Sequence, residues 1–362
     1  MNAELRAWYR DKRVFVTGHT GFKGAWLTSW LRSAGAEVTA YGLPPPAGQP
    51  SLFEAAGVAG GIDAIVGDVR DRTALDAAFA SSAPELVFHL AAQSLVRRSY
   101  REPIETYTTN VIGTANVLDA CRHSSSIRGV VVVTSDKCYE NHGFDHAYAE
   151  DDPMGGYDPY SSSKGCAELV TAAMRRSFLH EQGIAVASVR AGNVIGGGDF
   201  SEDRLVPDVM KAASAGERAV IRQPDAVRPW QFVLEPLRGY LTVGRALLED
   251  GLEFGEAWNF GPREGDSVPV REVTKRMAEL WDRVDVELAS VVAGPHEASV
   301  LKLDNRKARD RLGWAPVLTL DETVDLTVAW YRAFHEDARS APATVASQLA
   351  EYERLVTRRA SG

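Results

Sequence analysis

The sequence predicts an α/β protein, a doubly wound parallel sheet with a smaller mixed α/β lobe. Apolar segments alternate with helical segments through residues 13–190, which is the pattern of strands joined by crossover helices. The first apolar segment runs directly into a turn that carries three glycines. The fifth, Val130-Val131-Val132-Val133, has no polar alternation, as expected when both faces of a parallel sheet are covered.

Six strands and four helices are expected in this part of the chain. The strands are predicted at 13–17, 37–43, 65–68, 86–90, 129–134 and 185–190. The helices are predicted from Phe22 to the glycine at 35, from Asp71 onward, over about 104–121 and over about 160–182.

The pattern loosens after residue 190, and this defines two predicted domains. Residues 1–190 and about 226–262 form the larger one, in which 231–233 and 257–260 are predicted to return to the main sheet. Residues of about 191–225 and 263–362 form the smaller lobe. The chain contains no internal repeat and no low-complexity segment.

Composition limits the function classes. The chain has 362 residues, 45% of them apolar, and a formal net charge of −9, which disfavours nucleic acid and anionic membranes as partners. No apolar run reaches the roughly 18 residues that span a bilayer, and Met1 to Arg13 lacks the apolar core of a secretory signal. The three cysteines form no CxxC pair and the eight histidines are scattered, so we expect a cytoplasmic protein without a metal.

The glycine turn predicts a nucleotide cofactor on a Rossmann-type sheet. Gly18, Gly21 and Gly24 follow the first strand, and their lack of side chains allows a tight turn that approaches a pyrophosphate. The helix beginning near Phe22 would direct its positive end at that charge. The residues expected to contact the cofactor are Gly18, Thr20, Gly21, Phe22, Lys23, Gly24, Asp68, Val69, Leu90, Ala91 and Ala92, with Tyr160 and Lys164 at its reactive end.

The residues leave the choice between NAD and NADP open. The second strand ends in Ala40-Tyr41-Gly42-Leu43, without the acidic residue that usually holds the ribose hydroxyls. Arg32 either favours a 2′-phosphate or is a solvated surface residue. Asp68 either contacts the adenine or caps the following helix.

Two further motifs predict acid–base chemistry. Tyr160 and Lys164 are four residues apart and share one helical face, so the lysine charge favours the phenolate. Such a tyrosine must shift its pKa from about 10 toward 7, roughly 4 kcal/mol of electrostatic stabilisation. Ser135, at the end of the fifth strand, would share the hydrogen bond to a substrate hydroxyl. Asp136 and Lys137 then supply an acid and an amine that a plain dehydrogenase does not need; the alternative is a structural cap at the strand end.

These motifs resemble those of the extended short-chain dehydrogenase/reductase family. Four segments carry the resemblance: Gly-His-Thr-Gly-Phe-Lys-Gly from residue 18, Ser-Asp-Lys-Cys-Tyr-Glu-Asn from residue 135, Tyr-Ser-Ser-Ser-Lys from residue 160, and Arg-Ala-Gly-Asn-Val-Ile-Gly-Gly-Gly-Asp from residue 190. Within the family they are similar to the sugar-nucleotide 4,6-dehydratases. Lys137 stands where the dTDP- and GDP-sugar enzymes carry glutamate, and in this it matches the enzymes that act on CDP-glucose.

The resemblance implies NAD as cofactor, a nucleotide sugar as substrate, a homodimer and a redox-neutral elimination. Tyr160 would take the proton of the 4-hydroxyl while NAD takes the C4 hydride. Lys137 would then remove the C5 proton or hold a water or hydroxyl, and protonated Asp136 would release the 6-hydroxyl as water. Return of the hydride to C6 leaves a 4-keto-6-deoxy sugar. These roles require burial to raise the pKa of Asp136 and to lower that of Lys137.

The substrate end is expected in the loosely patterned region. The expected substrate contacts are Gln93, Ser94, Asn193, Arg204, Leu205, Arg228, Trp230 and Glu297. For each arginine the alternative is a surface position, and for Trp230 it is packing. The helices near 104–121 and 160–182 would pair across the two-fold axis of the dimer or pack within one chain.

Two other functions compete with elimination. A sugar-nucleotide epimerase or simple dehydrogenase would keep Tyr160 and Lys164 but leave Asp136 and Lys137 unexplained. A non-catalytic dinucleotide-sensing protein would be expected to lose the serine, tyrosine and lysine, which are intact.

Overall fold

The computed structural model of the chain describes residues 1–289 and 300–360. Seven strands, all parallel, form its central sheet in the order β7-β6-β5-β4-β1-β2-β3. Their bounds are β1 Arg13–Thr17, β2 Glu37–Gly42, β3 Asp63–Val66, β4 Leu86–His89, β5 Gly129–Val133, β6 Ala185–Ala191 and β7 Ala257–Phe260. The predicted doubly wound parallel sheet and its six strands are therefore confirmed, and 257–260 adds the seventh.

Helices cover both faces of the sheet, so the inner strands β1, β4, β5 and β6 are buried on both sides, whereas the edge strand β3 is largely exposed. The described helices are α1 Ala3–Trp8, α2 Phe22–Ala34, α3 Leu52–Ala55, α4 Arg72–Ser82, α5 Val96–Arg101, α6 Pro103–Tyr107, α7 Gly113–Arg122, α8 Pro159–Met174, α9 Leu205–Ala215, α10 Leu234–Glu249, α11 Val270–Leu280, α12 Arg306–Leu312, α13 Leu320–Glu336 and α14 Ala341–Ala360. In the described ranges no helix is both long and apolar enough to cross a membrane.

The two long helices predicted from the sequence each contain a wider π-helical turn. Thr108–Ile112 joins α6 to α7, and Arg175–Leu179 continues α8. The predicted helices over 104–121 and 160–182 are thus present, with these local changes of pitch. Three short 3₁₀ turns complete the helical segments, at Asp136–Cys138, Gly251–Phe254 and Ala338–Ser340.

Short strand pairs build the region beyond the sheet. They join Ala147–Tyr148 to Lys302–Leu303, Val194–Ile195 to Gln231–Phe232, Arg218–Ile221 to Asp285–Leu288, and Val227–Pro229 to Ser267–Pro269. The expectation that 231–233 returns to the main sheet is wrong, because β7 already occupies the free edge of β6. The domain boundaries stay a prediction; the pairing of 227–229 with 267–269 joins segments from both predicted domains.

Candidate active site

A cavity of about 870 Å³ opens where β1, β4, β5 and β6 end. The strand order reverses between β1 and β4, and in open parallel sheets this is the point at which ligands bind. The cavity extends from the glycine turn after β1 to α9 and the strand that follows it. Its volume lies at the upper end of the range for small-molecule sites.

The glycine turn forms one wall of the cavity because its backbone packs where side chains would collide. Gly18 has a φ of +75°, and a Cβ there would lie 2.6 Å from the backbone nitrogen of Ala91. A Cβ on Gly24 would meet the carbonyl of Gly18. Gly21 differs, since its Cβ would meet nothing nearer than 3.5 Å, so the space beside it is open. The turn with the N-terminus of α2 therefore fits a pyrophosphate.

Lys23 brings a buried cation into this wall. Its Nζ lies 6.0 Å from the ring centroid of Tyr240. Burial, with the nearby charges of Arg204 and Lys164, lowers the pKa of Lys23 to about 7, whereas Asp136 acts in the opposite direction. Lys23 thus lies close enough to Asp136 and Lys164 to interact with them electrostatically, and the sequence did not indicate this proximity.

The floor of the cavity ends in small residues held by a threonine. The Thr17 hydroxyl accepts hydrogen bonds from the backbone nitrogens of Leu90 and Ala91, each at 3.1 Å. This fixes the end of β4 against the end of β1. Ala92 follows, and the short side chains leave the space between the two strand ends open.

At the outer end of the cavity Asp68 holds Arg70. Its carboxylate accepts hydrogen bonds from the backbone nitrogen and from the guanidinium of Arg70, and these contacts lower the pKa of Asp68. The alternative that Asp68 caps the following helix is wrong, because Asp71 makes that contact with the nitrogen of Ala74 at 3.0 Å. Arg32 donates to carbonyls of the turn at residues 57–60 and does not line the cavity.

The acid of the predicted triplet is buried with one oxygen unoccupied. The Ser135 hydroxyl donates to Oδ1 of Asp136 at 2.9 Å and accepts the backbone nitrogen of Lys137 at 3.2 Å. Oδ2 of Asp136 has no hydrogen-bond partner among the described residues, although the side chain is only 2% exposed and lines the cavity. Burial raises the pKa of Asp136, against the charges of Lys137 and Lys23. A neutral carboxylic acid that faces a cavity can donate a proton.

Helix α8 brings a tyrosine and a lysine to the same cavity. Asp158 caps the helix by accepting the nitrogen of Ser161 at 3.0 Å, which fixes its first turn. Burial raises the pKa of Tyr160 to about 12, while a hydrogen bond with Ser135 acts to lower it. The Lys164 ammonium donates to the carbonyl of Val133 at 3.2 Å, and burial lowers its pKa to about 8. Tyrosine, serine and lysine therefore meet at the end of β5.

A buried ion pair behind this group was missed by the sequence analysis. Glu168 lies one helical turn after Lys164 and is 5% exposed, and its partner Arg190, on β6, is 3% exposed. Nε and Nη2 of Arg190 donate to the two carboxylate oxygens at 2.9 and 2.8 Å. The i+4 spacing of Glu168 from Lys164 places the two side chains on one helical face, but the sequence carries no signal for Arg190 as the partner.

The predicted substrate residues line the far half of the cavity, with one exception. Gln93, Ser94, Asn193, Arg204, Leu205, Arg228 and Trp230 all contribute to the lining. Arg204 forms an ion pair with Asp199 at 3.1 Å and donates to the Ser94 hydroxyl at 3.1 Å, so it bridges two walls. The expectation for Glu297 lies outside the described residues.

Comparison with known proteins places the chain in a family. The family model described as GDP-mannose 4,6-dehydratase matches residues 15–327. The chain belongs to the GDP-mannose 4,6-dehydratase family. This confirms the resemblance drawn from the motifs, and the GDP-mannose 4,6-dehydratase family match includes the glycine turn, the triplet and α8.

One similar relative in the curated set is CDP-glucose 4,6-dehydratase of Salmonella typhimurium, 49% identical over 331 residues, which are 90% of this chain and 92% of that protein. Among solved structures, MoeE5 in complex with UDP-glucose and NAD has a TM-score of 0.74 and 27% identity, covering 88% of this chain and 98% of that one. DesIV (dTDP-glucose 4,6-dehydratase) of Streptomyces venezuelae shares the fold, with a TM-score of 0.74 and 24% identity over 88% of this chain and 96% of that one.

Proposed function

We propose that this chain binds NAD and converts CDP-glucose into CDP-4-keto-6-deoxyglucose and water. The observation that carries the proposal is the meeting, in one cavity, of Tyr160 and Lys164 with the buried acid Asp136 and the amine of Lys137. Tyr160 and Lys164 suit oxidation of an alcohol. Asp136 and Lys137 suit removal of a hydroxyl and of a proton from neighbouring carbons.

The glycine turn fits the dinucleotide, since a Cβ at Gly18 or Gly24 would collide with backbone atoms and prevent the tight turn, while the space beside Gly21 is open. Gly21 and the N-terminus of α2 would hold the pyrophosphate, and Asp68 would lie at the adenosine end. Bound NAD would supply a hydride acceptor for C4 and afterwards a hydride donor for C6.

Tyr160 takes the proton of the 4-hydroxyl in the oxidation. Its high pKa means that it is protonated in the unliganded cavity at neutral pH. The positive charges of Lys164 and of the nicotinamide ring favour its phenolate, and Ser135 holds the sugar oxygen. This step produces a ketone at C4, which acidifies the proton on C5.

Asp136 and Lys137 then carry out the elimination. Lys137 accepts the C5 proton, and Asp136 gives its proton to the leaving 6-hydroxyl, which departs as water. As the hydride returns to C6, Lys137 gives its proton back to C5. At the end of the cycle Tyr160 holds one extra proton and Asp136 lacks one, so the net transfer of one proton from Tyr160 to Asp136 restores both groups. Burial supports the acid role because it raises the pKa of Asp136 and so favours the protonated carboxyl group.

The relative in Salmonella supports cytidine as the base, since its name specifies CDP-glucose and it is similar over nine-tenths of this chain. Arg204 and Arg228 are cations in the half of the cavity that would receive the diphosphate.

A product assay tests the function. The holoenzyme is incubated with CDP-glucose, dTDP-glucose, UDP-glucose and GDP-mannose, and each product is analysed by mass. Loss of one water from the CDP sugar alone, without net reduction of NAD, is expected. A mass-neutral epimer or accumulating NADH would overturn the proposal. Tyr160→Phe should abolish the reaction, and Tyr157→Phe, at an exposed position before α8, is the matched control.

We also propose a homodimer. Apolar side chains stay exposed on α6, α8 and the π turns beside them, namely Ile104 (76%), Ile112 (52%), Leu169 (60%) and Phe178 (42%). A second copy would cover them. Leu169→Glu should halve the mass measured by light scattering, whereas Leu288→Glu, at another exposed leucine, should not. A monomeric wild type would contradict the dimer.

The three unpaired cysteines support a cytoplasmic location, since thiols persist in a reducing compartment. Cell fractionation tests this, and recovery from an oxidising compartment would contradict it.

A further inference from the structure

The segment that carries the acid and the amine is anchored on both sides. Thr134 precedes Ser135, and its hydroxyl donates to Oε1 of Glu168. Tyr139 follows the 3₁₀ turn at Asp136–Cys138, and its hydroxyl accepts Nη1 of Arg190 at 2.6 Å. Thr134 and Tyr139 therefore bind Glu168 and Arg190 respectively, and these two residues form one buried ion pair.

The same ion pair belongs to the helix that carries Tyr160 and Lys164. Glu168 lies one turn after Lys164, so the two side chains share a face of α8. The Ser188 hydroxyl adds a further donor to Glu168, at 2.7 Å from Oε2. Each carboxylate oxygen of Glu168 thus accepts two hydrogen bonds, so the side chain has little freedom to move, and loss of one donor leaves that oxygen with a single buried partner.

Tyr139 is itself fixed from behind. Its hydroxyl donates to Oδ1 of Asn259 at 2.7 Å, and the amide of Asn259 donates to the carbonyl of Tyr148 at 2.8 Å. Its ring stacks on that of Tyr148 with centroids 5.0 Å apart. The turn is therefore held from the sheet side as well as from the helix side.

We propose that the Glu168–Arg190 pair is a clamp that positions the turn bearing Asp136 and Lys137 relative to the helix bearing Tyr160 and Lys164. Thr134 and Tyr139 are positioning residues, because their hydroxyls act through the clamp: that of Thr134 binds Glu168 and that of Tyr139 binds Arg190. The inference rests on the proposed function. Oxidation at C4 and elimination across C5 and C6 use different side chains on one bound sugar, so the two sets must be held at a fixed separation. A misplacement of about 1 Å costs on the order of 100-fold in rate.

Removing one anchor should separate the two steps. Tyr139→Phe takes away the hydroxyl that Arg190 binds and leaves the helix untouched. Oxidation should then proceed within about twofold of the wild-type rate, and elimination should slow by roughly 10- to 100-fold. The measurable result is transient reduced nicotinamide, followed by its absorbance in single-turnover experiments with CDP-glucose.

A matched control lies in the same aromatic stack. Tyr148→Phe loses one hydroxyl, which donates to the carbonyl of Glu140 at 3.2 Å, but keeps the contact between Arg190 and Tyr139. It should show no transient reduced nicotinamide. Thr134→Val removes the other anchor and should reproduce the effect of Tyr139→Phe. Thermal unfolding of each variant shows that the protein is folded.

The outcomes separate the clamp from the proposed function. If wild type loses water from CDP-glucose, and both Tyr139→Phe and Thr134→Val keep the wild-type ratio of the two steps, the clamp is overturned and the function stands. If wild type forms an epimer instead of losing water, both are overturned. Transient reduced nicotinamide in the two anchor variants, and its absence in Tyr148→Phe, supports the clamp.

Discussion

The Ser135 hydroxyl donates to one oxygen of Asp136 at 2.9 Å, and the other oxygen has no partner among the described residues. The serine therefore orients the carboxyl group while leaving its second oxygen for a ligand. Because Ser135 also acts to lower the pKa of Tyr160, one hydroxyl influences both the base of the oxidation and the acid of the elimination. This arrangement makes the roles of the two groups separable by mutation.

Replacement of the acid should stop the reaction half-way. Asp136→Asn keeps the shape of the side chain but has no carboxyl proton to give to the leaving hydroxyl. We expect water loss to fall by on the order of 10²- to 10⁴-fold, the usual contribution of a general acid. Reduced nicotinamide should accumulate, because Tyr160 still oxidises C4. Product mass and nicotinamide absorbance together check this, and parallel loss of both signals would contradict the assigned role.

The same substitution should stabilise the fold in a pH-dependent way. Asp136 has a raised pKa when folded, so the native state holds its proton more tightly than the unfolded state. The stability that this tighter proton binding contributes is fully present at low pH, and it is lost as the pH rises from the ordinary aspartate pKa of 3.8 through the folded pKa. Asparagine does not ionise, so the Asp136→Asn variant does not lose this stability as the pH rises. The melting temperature of Asp136→Asn should exceed that of wild type at about pH 8 and approach it near pH 4; a difference that does not change with pH would refute this.

Lys137 should matter after oxidation and not before it. Lys137→Met keeps much of the aliphatic chain and removes the amine, so no group accepts the C5 proton. We expect elimination to slow by on the order of 10²-fold or more, with reduced nicotinamide appearing at close to the wild-type rate. If the lysine only holds a water, the loss should be much smaller, about tenfold or less. The single-turnover absorbance trace distinguishes the two roles.

Two glycines of the turn should respond differently to one added methyl. Gly24→Ala places a Cβ against the carbonyl of Gly18, so it should lower both stability and NAD affinity. Gly21→Ala finds ordinary contact at 3.5 Å, so the fold should survive while the methyl occupies the space that the pyrophosphate needs. Thermal unfolding and calorimetric titration with NAD measure the two effects. Equal losses of stability in both variants would contradict this account.

The sheet was predictable because each of its strands is a short apolar segment that leads into a turn or helix signal. The exception, 231–233, has the same apolar character, but its pairing is decided by which sheet edge is vacant, and local sequence carries no information on that. Asp68 failed as a helix cap for a related reason: Asp71 is an equally good capping residue three positions later, and the true start of α4 selects it.

The site was predictable where spacing alone sets the geometry. Tyr160 and Lys164 share a face in an α-helix, and Ser135 to Lys137 follow a strand end. The Glu168–Arg190 pair joins a helix to a strand 22 positions away, so only the fold brings it together. The bridging of Asp199 and Ser94 by Arg204 is likewise a product of tertiary contacts.

Thr134 still belongs to the hydrogen-bond ladder of the sheet, since its backbone nitrogen donates to the carbonyl of Val189 at 2.9 Å. The catalytic turn therefore begins inside the most buried layer of the protein. Local opening that released Asp136 would have to break this strand pairing, so its free energy should approach that of global unfolding. Hydrogen exchange at the Thr134 amide would then report the cooperative stability of the whole domain, and partly unfolded molecules would be inactive.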